Sequence, residues 1–145
     1  MTTARLDNVA HAALRIHTGH GPEFGDAVNQ VAVFATEFES VQRHYPILFL
    51  RDEQGRLQPL AILGLDRDEN LFLTGQGWDA AYVPALLRRG PFLIGRAADG
   101  EPLIHIDLAN PRVIESGAEG QPLFLPQGGH APALEAGLDA LRTIH

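Results

Sequence analysis

The chain has 145 residues, 45% of them apolar and 20% charged, the balance of a globular protein with enough apolar surface for one core. It has no cysteine, which excludes disulfides, cysteine-ligated zinc and thiol nucleophiles, and its cations are all arginine, which excludes lysine Schiff-base chemistry. A formal net charge of −7 opposes general nucleic-acid binding, because neutralising phosphates needs a basic surface.

Read along the chain, Ala12 to Ile16 suggests a short strand, followed by a loop rich in Gly and His from Thr18 to Gly25. Val31 to Phe34 reads as a second strand. Thr36 has the character of an N-cap with Glu39 as its capping-box partner, which predicts a helix over Glu37 to His44. The Tyr45-Pro46 step should end that helix, since a residue before proline avoids helical geometry. Ile47 to Leu50 and Leu60 to Leu65 are continuous apolar runs, so both are expected as strands buried on both faces, joined by the turn "RDEQGR". Pro59 cannot donate to a ladder and is expected where the second strand begins. Asn70 to Leu73 reads as a further strand, and Gly75-Gln76-Gly77 as a tight turn that presents Trp78. Pro84 suits the first turn of a helix over Val83 to Arg89, which Gly90-Pro91 should stop.

Phe92 to Ile94, Leu103 to Leu108 and Leu123 to Leu125 are expected as later strands. The chain closes with a predicted helix from Pro132 to Ile144, where Leu134, Leu138, Leu141 and Ile144 share one face. Gly137 weakens it by about 1 kcal/mol relative to alanine, so packing must hold it. Strands outnumber helices and the connections are short. The expected fold is therefore α+β: a mostly antiparallel or mixed β-sheet with a few short helices packed on it, as a single compact domain over residues 1–145.

Several residue sets carry chemistry on paper. His105-Ile106-Asp107 has the H-x-D spacing of a non-haem iron site, with His130 as a distal third ligand. Plain strand alternation explains the same pattern, with Ile104 and Ile106 inward and His105 and Asp107 toward water. His11, His17 and His20 lack cysteines or carboxylates at zinc spacing and are expected at the surface. Neither Ser40 nor Ser116 lies in a nucleophile elbow, and "DRDEN" lacks the pattern of a calcium loop. No catalytic residue, metal ligand or cofactor is assigned. The candidate binding surface is Trp78, Tyr82, Arg88 and Arg89, because aromatic residues and arginine dominate interface hot spots. The competing reading puts Trp78 and Tyr82 in the core and pairs the arginines with Asp66, Asp68 or Asp79.

The segments "HYPILF", "PLAILGL", "ENLFL", "GWDAAYVPALLRRGPFLIG", "IHID" and "GQPLF" occur in an order that resembles the SapC family of bacterial proteins. The opening "HAALRIHTGHGPEFGDAVNQVAVFATEF" is similar to that family's N-terminal segment. Trp78, Asp79, Tyr82, Pro84, Arg88, Arg89, Pro91 and Phe92 form its most specific part. Family members usually continue past the position of His145, so the chain corresponds to a short form or to the N-terminal part of a longer architecture.

The resemblance implies a non-enzymatic interaction protein that assists secretion or assembly of a bacterial surface-layer or envelope protein. A surface or envelope protein is the expected partner, with nucleic acid excluded and a homodimer allowed. Two alternatives stand beside it: a metal-dependent enzyme built on His105, Asp107 and His130, and a small-ligand accessory of an uptake system with its pocket near Trp78. No run approaches the ~20 apolar residues of a membrane span, and the N-terminus lacks a signal-peptide core. The expected location is cytoplasmic, with membrane association or export by a signal-less route as the alternative.

Overall fold

Short apolar runs punctuated by glycine and proline can build only short strands, and the computed structural model, which describes residues 2–145, consists mainly of them. The strands are β1 (Thr3–Arg5), β2 (Arg15–Ile16), β3 (Gln30–Ala32), β4 (Ile47–Arg51), β5 (Leu57–Ile62), β6 (Leu73–Thr74), β7 (Gly77–Trp78), β8 (Phe92–Arg96), β9 (Pro102–Asp107), β10 (Val113–Ile114) and β11 (Gln121–Pro122). The α-helices are α1 (Phe38–Val41), α2 (Ala85–Arg88) and α3 (Pro132–Ile144). Every strand pairing is antiparallel, and the class is α+β.

The chain divides into two compact units. The first holds residues up to Thr18 together with Arg89–Arg142. Its larger sheet has the order β1-β9-β8, with Phe92 opposite Ile106 at the buried end of the ladder. A smaller sheet has the order β10-β2-β11. Arg112 is buried beside β2, where its backbone carbonyl accepts the His17 N–H and its guanidinium donates to the His17 carbonyl. Helix α3 spans the predicted residues and buries Leu134, Leu138 and Leu141. Gly137 also faces inward: a Cβ there would stand 2.4 Å from Cδ2 of Phe92. The glycine that weakens the helix by propensity is the one that lets the Phe92 ring reach its backbone.

The second unit holds Gly19–Arg88 and Thr143–His145. Its sheet has the order β3-β5-β4, so β5 is central and β4 is an edge. Val31, Val33, Val41, Tyr45, Ala61 and Leu63 form its core, against which Ile47, Phe72, Trp78, Tyr82 and Leu86 pack. Four expectations are corrected here. The helix over Glu37 to His44 is a 3-10 turn (Ala35–Glu37) followed by the single turn of α1, and its cap is not Thr36 with Glu39. Instead the Glu37 carboxylate reaches back to accept the Phe34 N–H at 3.0 Å, and the Thr36 hydroxyl donates to the Thr143 carbonyl.

Of the strand expected over Asn70 to Leu73, only Leu73 lies in one, as the first residue of β6. Asn70 is buried, donates to the Asp26 carbonyl and accepts the Phe72 N–H, so it braces a loop. Pro59 is the third residue of β5 rather than its start. It is tolerated in a central strand because its nitrogen faces the β3 side, where the β3 ladder has ended at Ala32, while its carbonyl accepts from Val33 N–H at 3.1 Å. Lastly, the run Ile47 to Leu50 is not buried on both faces, and of Leu60 to Leu65 the strand keeps only Leu60 to Ile62, with Leu65 exposed.

Gly137→Ala separates close packing from propensity. Helix propensity alone would stabilise the protein by about 1 kcal/mol, whereas overpacking against Phe92 should destabilise it by about 1–3 kcal/mol in denaturant unfolding. A gain in stability would show that the Phe92 contact does not select the glycine.

Candidate functional site

The second unit is organised around one buried hydroxyl. Tyr45 closes the turn after α1, its N–H bonded to the Val41 carbonyl at 2.9 Å, and its side chain is almost fully buried. Its Oη accepts the Trp78 Nε1–H at 2.8 Å and donates to the Tyr82 carbonyl. Trp78 is delivered by the two-residue β6–β7 hairpin, whose Gly77 takes a φ of 108° that favours glycine. The Tyr45 and Phe72 rings meet edge-on at 4.7 Å, Phe72 and Trp78 stack at 6.2 Å, and His20 approaches the Trp78 ring at 5.4 Å. His20 is fixed in turn by buried Asp26, whose Oδ2 lies 3.0 Å from its Nδ1 and also accepts the Gly21 N–H. The expectation of a plain surface histidine is corrected at this position.

A buried carboxylate forms the second anchor. Glu37 Oε1 accepts from the Tyr82 hydroxyl at 2.7 Å and from the Ala85 N–H at 3.0 Å. It thereby tethers the start of α2 to the end of the 3-10 turn. Arg88 donates to the Val83 carbonyl and to Tyr82 Oη, and its Cζ lies 5.1 Å from the centroid of the Tyr82 ring. Burial raises the Tyr82 pKa, the Glu37 hydrogen bond adds to that rise and Arg88 opposes it. Burial likewise raises Tyr45, against the lowering by the Trp78 hydrogen bond. Among the described residues no buried side-chain polar atom lacks a partner.

Of the predicted surface, Trp78, Tyr82 and Arg88 are therefore brought together, half-buried and bonded to their own unit. Arg89 belongs to the first unit, where its carbonyl accepts the Phe92 N–H. The set His105, Asp107 and His130 is not assembled. The His105 ring lies against Gly95, Asp107 Oδ1 accepts the Thr2 and Ala109 N–H groups, and His130 Nδ1 contacts Glu135 Oε1 at 2.9 Å. Among the described residues no three histidine or acidic side chains come together as a metal site.

What sequence reasoning missed is the β4 edge. Leu48, Phe49 and Leu50 are 57%, 56% and 58% exposed, and Leu57 on the neighbouring strand is 58% exposed. Two bonds set the alternation of the ladder: Ile62 N–H to the Pro46 carbonyl at 3.0 Å, and Asp52 N–H to the Arg56 carbonyl at 2.8 Å. Between them Leu48 and Leu50 face β5, so the N–H and C=O groups of Ile47, Phe49 and Arg51 point to the open side. On the core-facing side of the strand, Phe49 meets Phe38 edge-on at 6.3 Å; Leu48 and Leu50 occupy the other face. Pro46 precedes the edge and Arg51 closes it with a charge, but the four residues between them, Ile47 to Leu50, carry no charge, no proline and no bulge. The signal in the sequence was the run "ILFL" itself, which reads equally well as a buried strand or as an apolar edge.

Replacing Tyr45 by Phe should cost about 1–3 kcal/mol, because it leaves the Trp78 N–H and the Tyr82 carbonyl without their partner. Raised tyrosine pKa values favour the folded state while the hydroxyls are protonated, so stability should fall as pH rises above 10.0. The Tyr45→Phe variant should show a shallower fall in urea unfolding between pH 9 and pH 11 (about one unit either side of the free tyrosine value). An unchanged alkaline slope would contradict the assignment.

A family model, SapC, matches residues 6–145 of the chain. No curated protein and no solved structure matches it.

Proposed function

The chain belongs to the SapC family, and on that premise we propose that it is a binding protein that assists secretion or assembly of a bacterial surface or envelope protein, taking up an extended segment of that client along β4. The observation that carries the proposal is the unprotected edge: three outward-facing residues with open backbone groups, flanked on both faces by leucine and phenylalanine side chains. A client strand laid there gains main-chain hydrogen bonds for affinity and alternate side-chain contacts for selectivity. A chain in transit is not yet folded and exposes segments of this kind, which an augmenting strand shields.

The magnitudes suit transient handling. Covering the exposed halves of four large apolar side chains contributes about 3–6 kcal/mol, and six main-chain bonds add about 3–9 kcal/mol. Association itself costs about 4–15 kcal/mol. The balance is a reversible complex rather than a permanent one. In this reading Trp78, Tyr82 and Arg88 hold the scaffold behind the strand, while the strand meets the client. No helix among the described residues is long and apolar enough to cross a membrane, so a client at the envelope would be met from the aqueous side or through a further partner.

A photo-crosslinking amino acid at Phe49 in the native bacterium tests this. The expected product joins residue 49 to one stretch of a surface or envelope protein, and a Leu48→Asp/Leu50→Asp variant should reduce its yield about tenfold. A probe at exposed Arg67 should not give it. Crosslinks only to a second copy of the chain, or the same products from both probe positions, would overturn the proposal.

A further inference from the structure

We infer, on the reading that β4 takes up an extended client, which kind of segment fits: one that pairs antiparallel, is apolar on both faces, and carries an acidic residue on its N-terminal side. Side chains directly opposite each other in a ladder share a face. A client residue opposite Phe49 therefore lies on the core-facing side, beside the ring that meets Phe38 edge-on, with Pro59 behind it on β5. Client residues opposite Leu48 and Leu50 lie on the other face, where Leu60 continues the apolar row behind Leu48. Both faces of the edge are thus apolar.

An ordinary amphipathic strand alternates polar and apolar residues. In either register it would set polar side chains against Phe49 or against Leu48 and Leu50. A segment that is buried on both faces in its own folded state has no polar row to misplace. Such a segment is exposed only while its chain is unfolded.

The two ends of β4 differ in charge. Ile47 opens the strand behind Pro46, and Arg51 closes it on the same face as Phe49. Arg51 is exposed, and its Nη1 donates to the Gly55 carbonyl at 2.8 Å. That bond fixes the guanidinium at the end of the ladder and leaves further N–H groups for a carboxylate. The adjacent Asp52 is engaged in its own turn: Oδ1 accepts the Gln54 and Arg56 N–H groups, and Oδ2 lies 3.1 Å from Arg56 Nε. Glu53 lies in the turn beyond the ladder. In an antiparallel client the residue opposite Arg51 comes first, so the matching order is an acid followed by apolar residues. Antiparallel pairing is also the more stable per residue.

Labelled peptides titrated against the purified full chain test this, with the Phe49 and Arg51 amide signals locating the site. Glu-Leu-Val-Leu-Val on a Gly-Ser tail is expected to bind about five- to tenfold tighter than Lys-Leu-Val-Leu-Val on the same tail. The net charge of −7 would by itself favour the lysine peptide, so the two causes give opposite orders. Arg51→Gln should abolish the preference and Arg51→Glu should reverse it. The reversed Val-Leu-Val-Leu-Glu and the alternating Glu-Leu-Ser-Leu-Ser and Glu-Ser-Val-Ser-Val should each bind at least about fivefold more weakly than the first peptide. Equal affinity for the glutamate and lysine peptides, a preference that survives Arg51→Gln, or a reversed or alternating peptide as tight as the first would overturn this assignment and leave strand docking standing. If no peptide shifts the Phe49 amide at millimolar concentration, strand docking and the assignment fall together.

Discussion

The second unit depends on the Tyr45 hydroxyl, which joins the hairpin that carries Trp78 to the segment that leads into α2. A single side chain can do this because it is buried beneath the sheet with a donor on one side and an acceptor on the other. Glu37, equally buried, repeats the device, binding the Tyr82 hydroxyl and the Ala85 N–H together. Short helices such as α1 and α2 could not persist by propensity, since an isolated single turn does not recover the cost of nucleation. They are held by these polar anchors and by the rings of Phe72, Trp78 and Tyr82.

Where those anchors lie determines what remains open. They cover the core-facing side of the β3-β5-β4 sheet near Tyr45, and they do not extend to the far end of β4. The strand therefore keeps its pairing to β5 while Phe49, with its open N–H and C=O, meets solvent. An unguarded edge of this kind is an aggregation hazard for a protein that does not use it. Its retention beside a well-satisfied polar network fits a role in which another chain supplies the missing strand.

How much of this was legible depends on whether a pattern carries direction. Helix α3 was read residue for residue because Leu134, Leu138 and Leu141 repeat at helical spacing behind a proline start. The Trp78 turn was legible because Gly75 and Gly77 punctuate it. The apolar runs around β4 and β5 gave the strands but not their exposure, since an unbroken run has no polar face to mark the solvent side. Strands of two or three residues, such as β1 and β10, are too short to show alternation at all. Glu37 was read as an ordinary first-turn residue, and only the fold reveals that residues 45 positions apart make it a buried acceptor. Trp78, Tyr82, Arg88 and Arg89 were singled out as one candidate surface; the fold brings the first three together through Glu37, Tyr45 and the Val83 carbonyl, partners that the sequence does not display.

Amide hydrogen exchange along β4 tests the open-edge account most directly, in the free protein and again in the complex with the client captured at position 49. The prediction for the free protein is an alternating pattern, with Phe49 and Arg51 exchanging at least about tenfold faster than Leu48 and Leu50. In the complex, Phe49 and Arg51 should slow to the rate of their neighbours. A Phe49 amide already as slow as Leu48 in the free protein, or one that the client leaves unchanged, would contradict the claim that β4 is an open docking strand.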